Sequence, residues 1–234
     1  PFARHTQRGA EGRQVCGALY LWRIGMRFDG VIFDLDGTLW DSCESVAASW
    51  NRSLEARFGS AGCFSREDIQ GIMGLTGAEI AARLFSSFGS RAAQVCALCL
   101  EEEAERLSVL GGKIYPGIEA MLKELYPKAG LYIVSNCQRG YIESFLAFSG
   151  LGEYFSAWAC EGETGLSKAE NIRLLAARKG LRRPVYVGDT ATDEKSSREA
   201  GCAFVHAGYG FGSAQAPDAV LLSPAELPVL LEAL

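Results

Sequence analysis

The chain has 234 residues, of which 48% are hydrophobic and 22% are charged, and its formal net charge is −5. A chain of this size can bury a substantial core without disulfides, so we expect one large globular domain or two smaller ones. The acidic balance provides no broad basic surface, which argues against nucleic acid and membrane as partners. Only two histidines are present, His5 and His206, and this scarcity disfavours Ser-His and Cys-His catalysis.

The eight cysteines are scattered, so we interpret them as reduced thiols of a cytoplasmic protein. The one close pair, Cys96 and Cys99, has no second pair to complete a zinc site, which favours thiols packed within a helix. No apolar run reaches the roughly 18 residues of a membrane span. We interpret residues 1–25, which precede Met26, as an upstream extension that is either disordered or artefactual.

The first clear element is the stretch VIFDLDGTLW at residues 31–40. Its apolar start predicts a buried strand, and two acids, Asp34 and Asp36, follow that strand. The pattern then becomes helical, and Asp41 and Glu44 have the spacing of a capping box. Only helical patterns follow as far as residue 112. We predict these helices at 43–58, 65–73, 77–88 and 91–109.

After residue 115, short apolar strands alternate with helices, which predicts a parallel sheet with helices on both faces. The predicted strands lie at 130–134, 156–160, 184–188, 202–206 and 219–222, and the helices at 117–126, 139–149, 167–179, 191–200 and 224–233. We therefore expect an α/β fold, a three-layer sandwich with a parallel Rossmann-like sheet and an inserted all-helical cap domain. The predicted core comprises residues 26–40 and 113–234, and the cap comprises residues 41–112.

Polar residues follow several of these strands, at the edge where an open parallel sheet binds ligands. Ser167 and Glu170 form a second capping-box pattern, which places a lysine in the first turn of a helix at the same edge. Residues far apart in sequence are therefore expected to converge there: Asp34, Asp36, Ser135, Asn136, Lys168, Asp189 and Asp193.

Several aspartates in one pocket repel each other unless a cation lies among them, and ligands that are all oxygen favour Mg²⁺. Beside such an ion, Asp34 is a workable nucleophile towards phosphorus and gives an aspartyl-phosphate intermediate. Asp36 would then carry the proton that the leaving group needs. We expect the backbone at Gly37 and the hydroxyl of Ser135 to bind phosphoryl oxygens, and Lys168 to offset their charge.

Four segments, DLDGT at 34–38, VSN at 134–136, Lys168 and GDTATD at 188–193, resemble the four ordered motifs of the haloacid dehalogenase-like (HAD) hydrolase superfamily. The helical insert and the GYG at 208–210 resemble its phosphoglycolate phosphatase-like members. The site that the resemblance implies comprises Asp34 and Asp36 as catalytic acids, Gly37, Ser135, Asn136 and Lys168 as phosphate-binding residues, and Asp34, Asp36, Asp189 and Asp193 as ligands of Mg²⁺.

This resemblance implies a Mg²⁺-dependent phosphatase that hydrolyses a small phosphorylated metabolite similar to phosphoglycolate. We expect a monomer or homodimer. Sugar phosphomutases of the same fold usually carry valine where this chain has Thr38, which favours hydrolysis. A pyrophosphatase remains an alternative within the fold. A phosphate-sensing protein without catalysis is the alternative of another class, and the complete set of acids and lysine argues against it.

Substrate specificity is expected to come from the cap and from the loop after the second motif. The candidate residues there are Arg66, Arg83, the segment at 74–79, Gln138 and Arg139. Arginines on helices commonly lie on a solvated face. For the arginines, contact with the substrate and exposure to solvent therefore both stay open.

Overall fold

The computed structural model describes residues 27–60 and 63–234, so the extension predicted at residues 1–25 lies outside the described part. Six strands form one parallel sheet with the order β5-β4-β1-β6-β7-β8, and β2 and β3 form a separate antiparallel pair. The strands are β1 Gly30–Phe33, β2 Trp40–Asp41, β3 Lys113–Ile114, β4 Gly130–Ser135, β5 Phe155–Cys160, β6 Pro184–Gly188, β7 Ala203–Ala207 and β8 Ala219–Leu221.

Helices cover both faces of the sheet and form the whole insert between β2 and β3. The α-helices are α1 Cys43–Phe58, α2 Arg66–Gln70, α3 Gly77–Leu84, α4 Ala92–Leu110, α5 Ile118–Leu125, α6 Tyr141–Ser149, α7 Glu161–Thr164, α8 Lys168–Lys179, α9 Ala191–Ala200 and α10 Leu227–Ala233. Short 3₁₀ turns lie at Ser86–Arg91, Leu151–Tyr154 and Pro224–Glu226. None of the helices within residues 27–60 and 63–234 combines the length and the apolar character that crossing a bilayer requires.

The central strand β1 is buried on both faces, which explains its continuous apolar sequence. Val31 and Phe33 belong to one hydrophobic cluster, and Ile32, which points to the opposite face, belongs to another. The second cluster also contains Ile172 and Leu175 of α8. The predicted three-layer α/β sandwich with an inserted helical cap is therefore confirmed.

The insert is joined to the core by a short two-stranded ribbon that the sequence did not predict. Trp40 pairs with Ile114, and Asp41 pairs with Lys113. Strands of two residues carry no periodic pattern, and only the tertiary fold brings their ends together. On the other side of the insert, α4 contacts α6 of the core, where Ser144 Oγ donates to the carbonyl of Ala104 at 2.5 Å.

Local predictions differ from the structure at three helices, and the helix predicted at 65–73 ends at Gln70. The capping box expected from Asp41 and Glu44 does not form, because Asp41 Oδ1 accepts the amide of Cys43 at 3.0 Å and its other oxygen pairs with Arg66. The helix predicted at 77–88 ends at Leu84 and continues as a 3₁₀ turn.

Candidate active site

Asp34 and Asp36 follow β1 at the carboxyl edge of the sheet, and both are buried. The amide of Asp34 donates to the carbonyl of Val187 at 2.8 Å, which extends the contact between β1 and β6 by one residue. The sheet itself therefore fixes the backbone position of the first acid.

Three carboxylates meet at this edge. Oxygen atoms of Asp34, Asp189 and Asp193 all lie within 4.8 Å of one another, although the residues come from distant segments. Burial first, and then the charge of Asp193, raise the pKa of Asp34 well above its usual value. The same two causes raise the pKa of Asp189. Such a cluster is stable in its ionised form only when positive charge lies beside it.

Lys168 supplies part of that positive charge. Its Nζ donates to Asp34 Oδ1 at 2.9 Å and to Asp193 Oδ1 at 2.6 Å, and the whole side chain is buried. Burial by itself lowers the pKa of Lys168, but the charges of Asp193 and Asp34 outweigh it and hold that pKa above its ordinary value. The predicted capping box of Ser167 and Glu170 forms, so α8 begins where its first residue reaches the cluster.

Both carboxylate oxygens of Asp193 accept hydrogen bonds within the protein. Oδ2 accepts the amide of Thr190 at 3.0 Å and its hydroxyl at 2.6 Å, in a capping box that begins α9. Oδ1 accepts from Lys168. Asp193 is thus fixed by its own helix and in turn holds the lysine against the cluster.

Asp189 has one oxygen satisfied and one without a partner. Its Oδ2 accepts the backbone amides of Phe211 at 2.8 Å and Gly212 at 3.3 Å, whereas its Oδ1 is buried and has no hydrogen-bond partner. An unpaired buried carboxylate oxygen is costly, and this one belongs to a group of donors that are all oxygen. The donor set fits Mg²⁺, which prefers carboxylate oxygens.

Gly37 lets the turn after β1 pass directly against Asp189. Its φ is 80°, and a Cβ at this position would overlap the carboxylate of Asp189. Its amide donates to the carbonyl of Trp40 at 2.9 Å. In this conformation the amide of Gly37 is therefore engaged, and its predicted contact with a phosphoryl oxygen stays a prediction.

Asp36 lies outside the group of three carboxylates. Its Oδ1 accepts from Ser42 Oγ at 2.7 Å and from Tyr141 Oη at 2.9 Å. Burial raises the pKa of Asp36 to about 6, although the two hydroxyl groups act in the opposite direction. A carboxyl group with this pKa exchanges protons near neutral pH. The side chain of Asp36 therefore lies apart from the three carboxylates, and its predicted roles as acid/base and as a ligand of Mg²⁺ both stay predictions.

A cavity of about 140 Å³ lies between this edge of the core and the helical insert. Asp36, Ser135 and Asn136 form its core side. The Nδ2 of Asn136 donates to the carbonyl of Gly74 at 2.8 Å, so this side chain connects the core to the insert. The Oδ1 of Asn136 is buried without a partner.

The insert side of the cavity contains residues that the sequence did not predict, chiefly Trp50 and Glu103. Neither belongs to a recognisable motif, since each occupies an ordinary helical position. Of the candidate segment at 74–79, Gly74, Leu75 and Gly77 line the cavity, and so does Gln138. The described residues of the wall do not include Arg66, Arg83 or Arg139. Arg66 instead pairs with Asp41 at 2.5 Å.

The residues around the acids were also not predicted. Ser42 and Tyr141 carry no local signal for contact with Asp36, because the second of them lies 105 residues away in sequence. The capping box at Thr190 is different, since its spacing to Asp193 can be read from the sequence.

The family model described as haloacid dehalogenase-like hydrolase matches residues 31–207. A phosphoglycolate phosphatase from Synechococcus elongatus is 30% identical over 205 residues, which cover 84% of this chain and 94% of the relative. A phosphoglycolate phosphatase from Cereibacter sphaeroides is 31% identical over 199 residues, which cover 81% of this chain and 89% of the relative.

Solved structures share the fold at lower identity. The structure of CbbY from Rhodobacter sphaeroides in complex with phosphate superimposes with a TM-score of 0.74 at 21% identity, covering 88% of this chain and 100% of that chain. A predicted phosphoglycolate phosphatase from Haemophilus somnus superimposes with a TM-score of 0.72 at 21% identity, covering 87% and 97% of the two chains. The family match and the curated relatives together show that this chain belongs to the haloacid dehalogenase-like hydrolases, as a phosphatase similar to the phosphoglycolate phosphatases.

Proposed function

We propose that this protein is a Mg²⁺-dependent phosphomonoesterase that hydrolyses a small phosphorylated metabolite through an aspartyl-phosphate at Asp34. The observation that carries the proposal is the grouping of Asp34, Asp189 and Asp193 within 4.8 Å, with the buried ammonium of Lys168 against two of them. Asp34, Asp189 and Asp193 would hold the ion, whose charge would offset that of the phosphoryl oxygens.

In the first step a carboxylate oxygen of Asp34 attacks phosphorus while the bond from phosphorus to the ester oxygen breaks. Asp36 gives its proton to the departing oxygen, so the product leaves as an alcohol. The hydroxyls of Ser42 and Tyr141 hold Asp36 in position and leave its other oxygen for this transfer. Ser135 lines the same end of the cavity and is proposed to bind a phosphoryl oxygen.

In the second step Asp36 takes a proton from water, and the water oxygen attacks phosphorus of the aspartyl-phosphate. The bond from phosphorus to Asp34 breaks, which releases inorganic phosphate and restores both carboxyl groups. Lys168 lies within reach of Asp34 throughout and stabilises the negative charge of the phosphoryl group in both transition states.

The substrate is proposed to be a small phosphomonoester, the class to which phosphoglycolate, named for the curated relatives, belongs. A structure of a CbbY mutant holds xylulose-1,5-bisphosphate, another small phosphorylated metabolite. The protein is proposed to be a monomer or homodimer.

The test measures phosphate release from p-nitrophenyl phosphate with Mg²⁺ and with EDTA. Asp34→Asn is expected to lower kcat by at least about 10³-fold, because the nucleophile is lost. Glu119→Gln on the exposed surface of α5 serves as the control and should retain the wild-type rate. Hydrolysis by Asp34→Asn at the wild-type rate, or full activity in EDTA, would refute the proposal.

The intermediate can be trapped in the Asp36→Asn protein. Because p-nitrophenolate departs without protonation, this variant should still form the aspartyl-phosphate, while attack by water should slow by about 10²–10⁴-fold. The variant is incubated with substrate that is labelled in its phosphoryl group. The label should remain on the protein and be released by hydroxylamine, which cleaves acyl phosphates. Absence of labelled protein together with slowed turnover would argue for direct attack by water.

A further inference from the structure

Beyond its core side, the cavity is built largely from apolar side chains of the insert, including Val46, Ile72, Leu75, Ile80 and Leu100. Its volume of about 140 Å³ is close to that of a cavity that holds benzene, about 150 Å³. The space therefore suits a leaving group of about six heavy atoms. One end of the cavity is at Asp36 and Ser135. Asp34 is not among the described wall residues, so the phosphoryl group is proposed to lie just outside this end and the leaving group within the cavity.

The charged residues of the wall are all acids. Among the described residues, the wall includes Asp36, Glu103 and Glu161 and contains no lysine, arginine or histidine. The nearest buried cation of the site, Lys168, is already bonded to Asp34 and Asp193. A carboxylate carried by the substrate into this cavity would lose its hydration and find no positive partner.

Glu103 is the polar centre of the insert side. It is buried, with 2% of its surface exposed, and its carboxyl oxygens accept from Trp50 Nε1 and from Gln138 Nε2, the latter at 3.0 Å. These two contacts fix the carboxyl group. In its ionised form each oxygen keeps a lone pair for a donor of the ligand, and in its protonated form one oxygen carries a hydrogen while the other keeps that lone pair. Burial raises the pKa of Glu103 to about 8. Near neutral pH the carboxyl group of Glu103 is therefore largely protonated, and it can accept from a hydroxyl of the ligand. A bound ammonium would favour its ionised form, and neither form carries a positive charge.

In the wall of the cavity, the side-chain donors are engaged within the protein, whereas acceptors are left without partners. The Nε2 of Gln138 is engaged by Glu103 and by the carbonyl of Leu100 at 3.2 Å, and the indole N–H of Trp50 is engaged by Glu103. By contrast, the buried Oδ1 of Asn136 has no partner. The polar atoms left for a ligand are mainly acceptors, so a ligand gains most by supplying donors.

We propose that the leaving group of the substrate carries no negative charge, and that it combines an apolar body with a terminal hydrogen-bond donor, a hydroxyl or an ammonium, directed towards Glu103. This inference rests on the proposed function, and it assigns Glu103 as a specificity-determining residue. It places phosphoglycolate, whose leaving group is a carboxylate, among the poor substrates of this chain.

The test compares three esters of equal length: 4-aminobutyl phosphate, 4-hydroxybutyl phosphate and 3-carboxypropyl phosphate, together with phosphoglycolate. For the wild-type protein, kcat/KM for the better of the first two is expected to exceed that for either carboxylate by at least tenfold. Which of the two is better distinguishes an ammonium from a hydroxyl. A higher kcat/KM for the carboxylate esters would overturn the inference and leave the proposed phosphatase function intact.

Binding is measured in parallel with the Asp34→Asn protein, by the ligand-induced rise in Tm, so the result does not depend on turnover. The same order of esters is expected. If no ester, including p-nitrophenyl phosphate, is hydrolysed, the proposed function fails, and the order of Tm shifts decides the present inference. Equal or larger shifts with the carboxylate esters would overturn it.

Glu103→Gln removes the ionisable group and is expected to reduce the ratio of kcat/KM for the amino ester to that for the carboxylate ester at least fivefold. Glu105→Gln, an exposed position on the same helix, is the matched control and should leave this ratio unchanged. An unchanged ratio in Glu103→Gln would remove Glu103 from the recognition of the leaving group.

Discussion

Lys168 is the single residue on which the buried acidic cluster most depends. It bonds two carboxylates, and replacement by glutamine would leave both without their buried cation. In EDTA, Lys168→Gln is expected to lower the free energy of unfolding by about 3–5 kcal/mol, because breaking a buried pair leaves charge uncompensated. Urea unfolding measures the effect.

The matched control for this substitution is Lys195→Gln, because Lys195 is 77% exposed and forms only a 3.9 Å contact with Glu199. Its unfolding curve should coincide with that of the wild type. Equal stability of Lys168→Gln and Lys195→Gln would mean that the cluster does not rely on the lysine.

Glu103 should make stability depend on pH. Its pKa is about 8 in the folded protein and 4.5 in its unperturbed state, because of burial. The folded protein thus keeps a proton that the unfolded chain releases, so the stabilisation is complete below pH 4.5 and is lost as pH rises through 8. In Glu103→Gln, stability relative to the wild type should increase with pH by up to about 1.4 kcal/mol per unit in this interval.

Urea unfolding of the wild type and of Glu103→Gln between pH 4.5 and 8 measures how the difference in their stability changes with pH. A constant loss of stability from the changed hydrogen bonds does not affect this slope. The groups around Glu103 include Asp36, which raises its pKa, and the thiols of Cys96 and Cys99. Glu105→Gln is expected to run parallel to the wild type. If the stability of Glu103→Gln and that of the wild type changed with pH in parallel, the carboxyl group of Glu103 in the wild type would titrate as in the unfolded chain.

At the scale of elements, the capping box of α8 links helix formation to the site, because the first residue of α8 is the lysine of the cluster. Ser167→Ala is expected to cost about 1 kcal/mol of stability and also to lower kcat, since the first turn that aims Lys168 loosens. Ser65→Ala removes an equivalent capping box at α2 in the insert. It should cost a similar amount of stability with little change in kcat.

Urea unfolding and p-nitrophenyl phosphate hydrolysis, applied to both serine variants, separate the two effects. A similar loss of kcat in both variants would indicate that general stability, rather than the position of α8, controls turnover.

The ribbon of β2 and β3 and the contact of α4 with α6 connect the insert to the core on two sides. A third link is the hydrogen bond from Asn136 to the carbonyl of Gly74. The cavity is therefore enclosed by elements of both parts. The bounds of the predicted domains, 26–40 with 113–234 and 41–112, stay a prediction.

At the scale of the whole molecule, Mg²⁺ should stabilise the folded state, because the three carboxylates are brought together only by folding. At ten times its Kd, the ion should add about 1.4 kcal/mol, which for a chain of this size raises Tm by about 3–5 °C. Asp189→Asn should retain its Tm in EDTA and lose the rise with Mg²⁺. Thermal denaturation monitored by circular dichroism gives both values.

A Tm that does not change with millimolar Mg²⁺ in the wild type, or an equal rise in Asp189→Asn, would contradict the assignment of these carboxylates. The measurement does not use substrate, so it tests the metal site separately from catalysis.

The sequence by itself determined the alternation of strands and helices, the helical insert and the order of the four motifs. These are local properties: β1 is a continuous apolar run because both its faces are buried, and Ser167 with Glu170 marks the start of α8. The acids and the lysine could be named in advance because parallel strands bring their carboxyl ends to one edge.

The tertiary structure alone decided what surrounds those residues. The contact of Tyr141 with Asp36 spans 105 positions, and that of Trp50 with Glu103 spans 53, so no local pattern records them. The hydrogen bond from the amide of Gly37 to the carbonyl of Trp40 could not be predicted from the sequence either. The charge and volume of the cavity are set by such long-range contacts, because they depend on how separate elements pack around it.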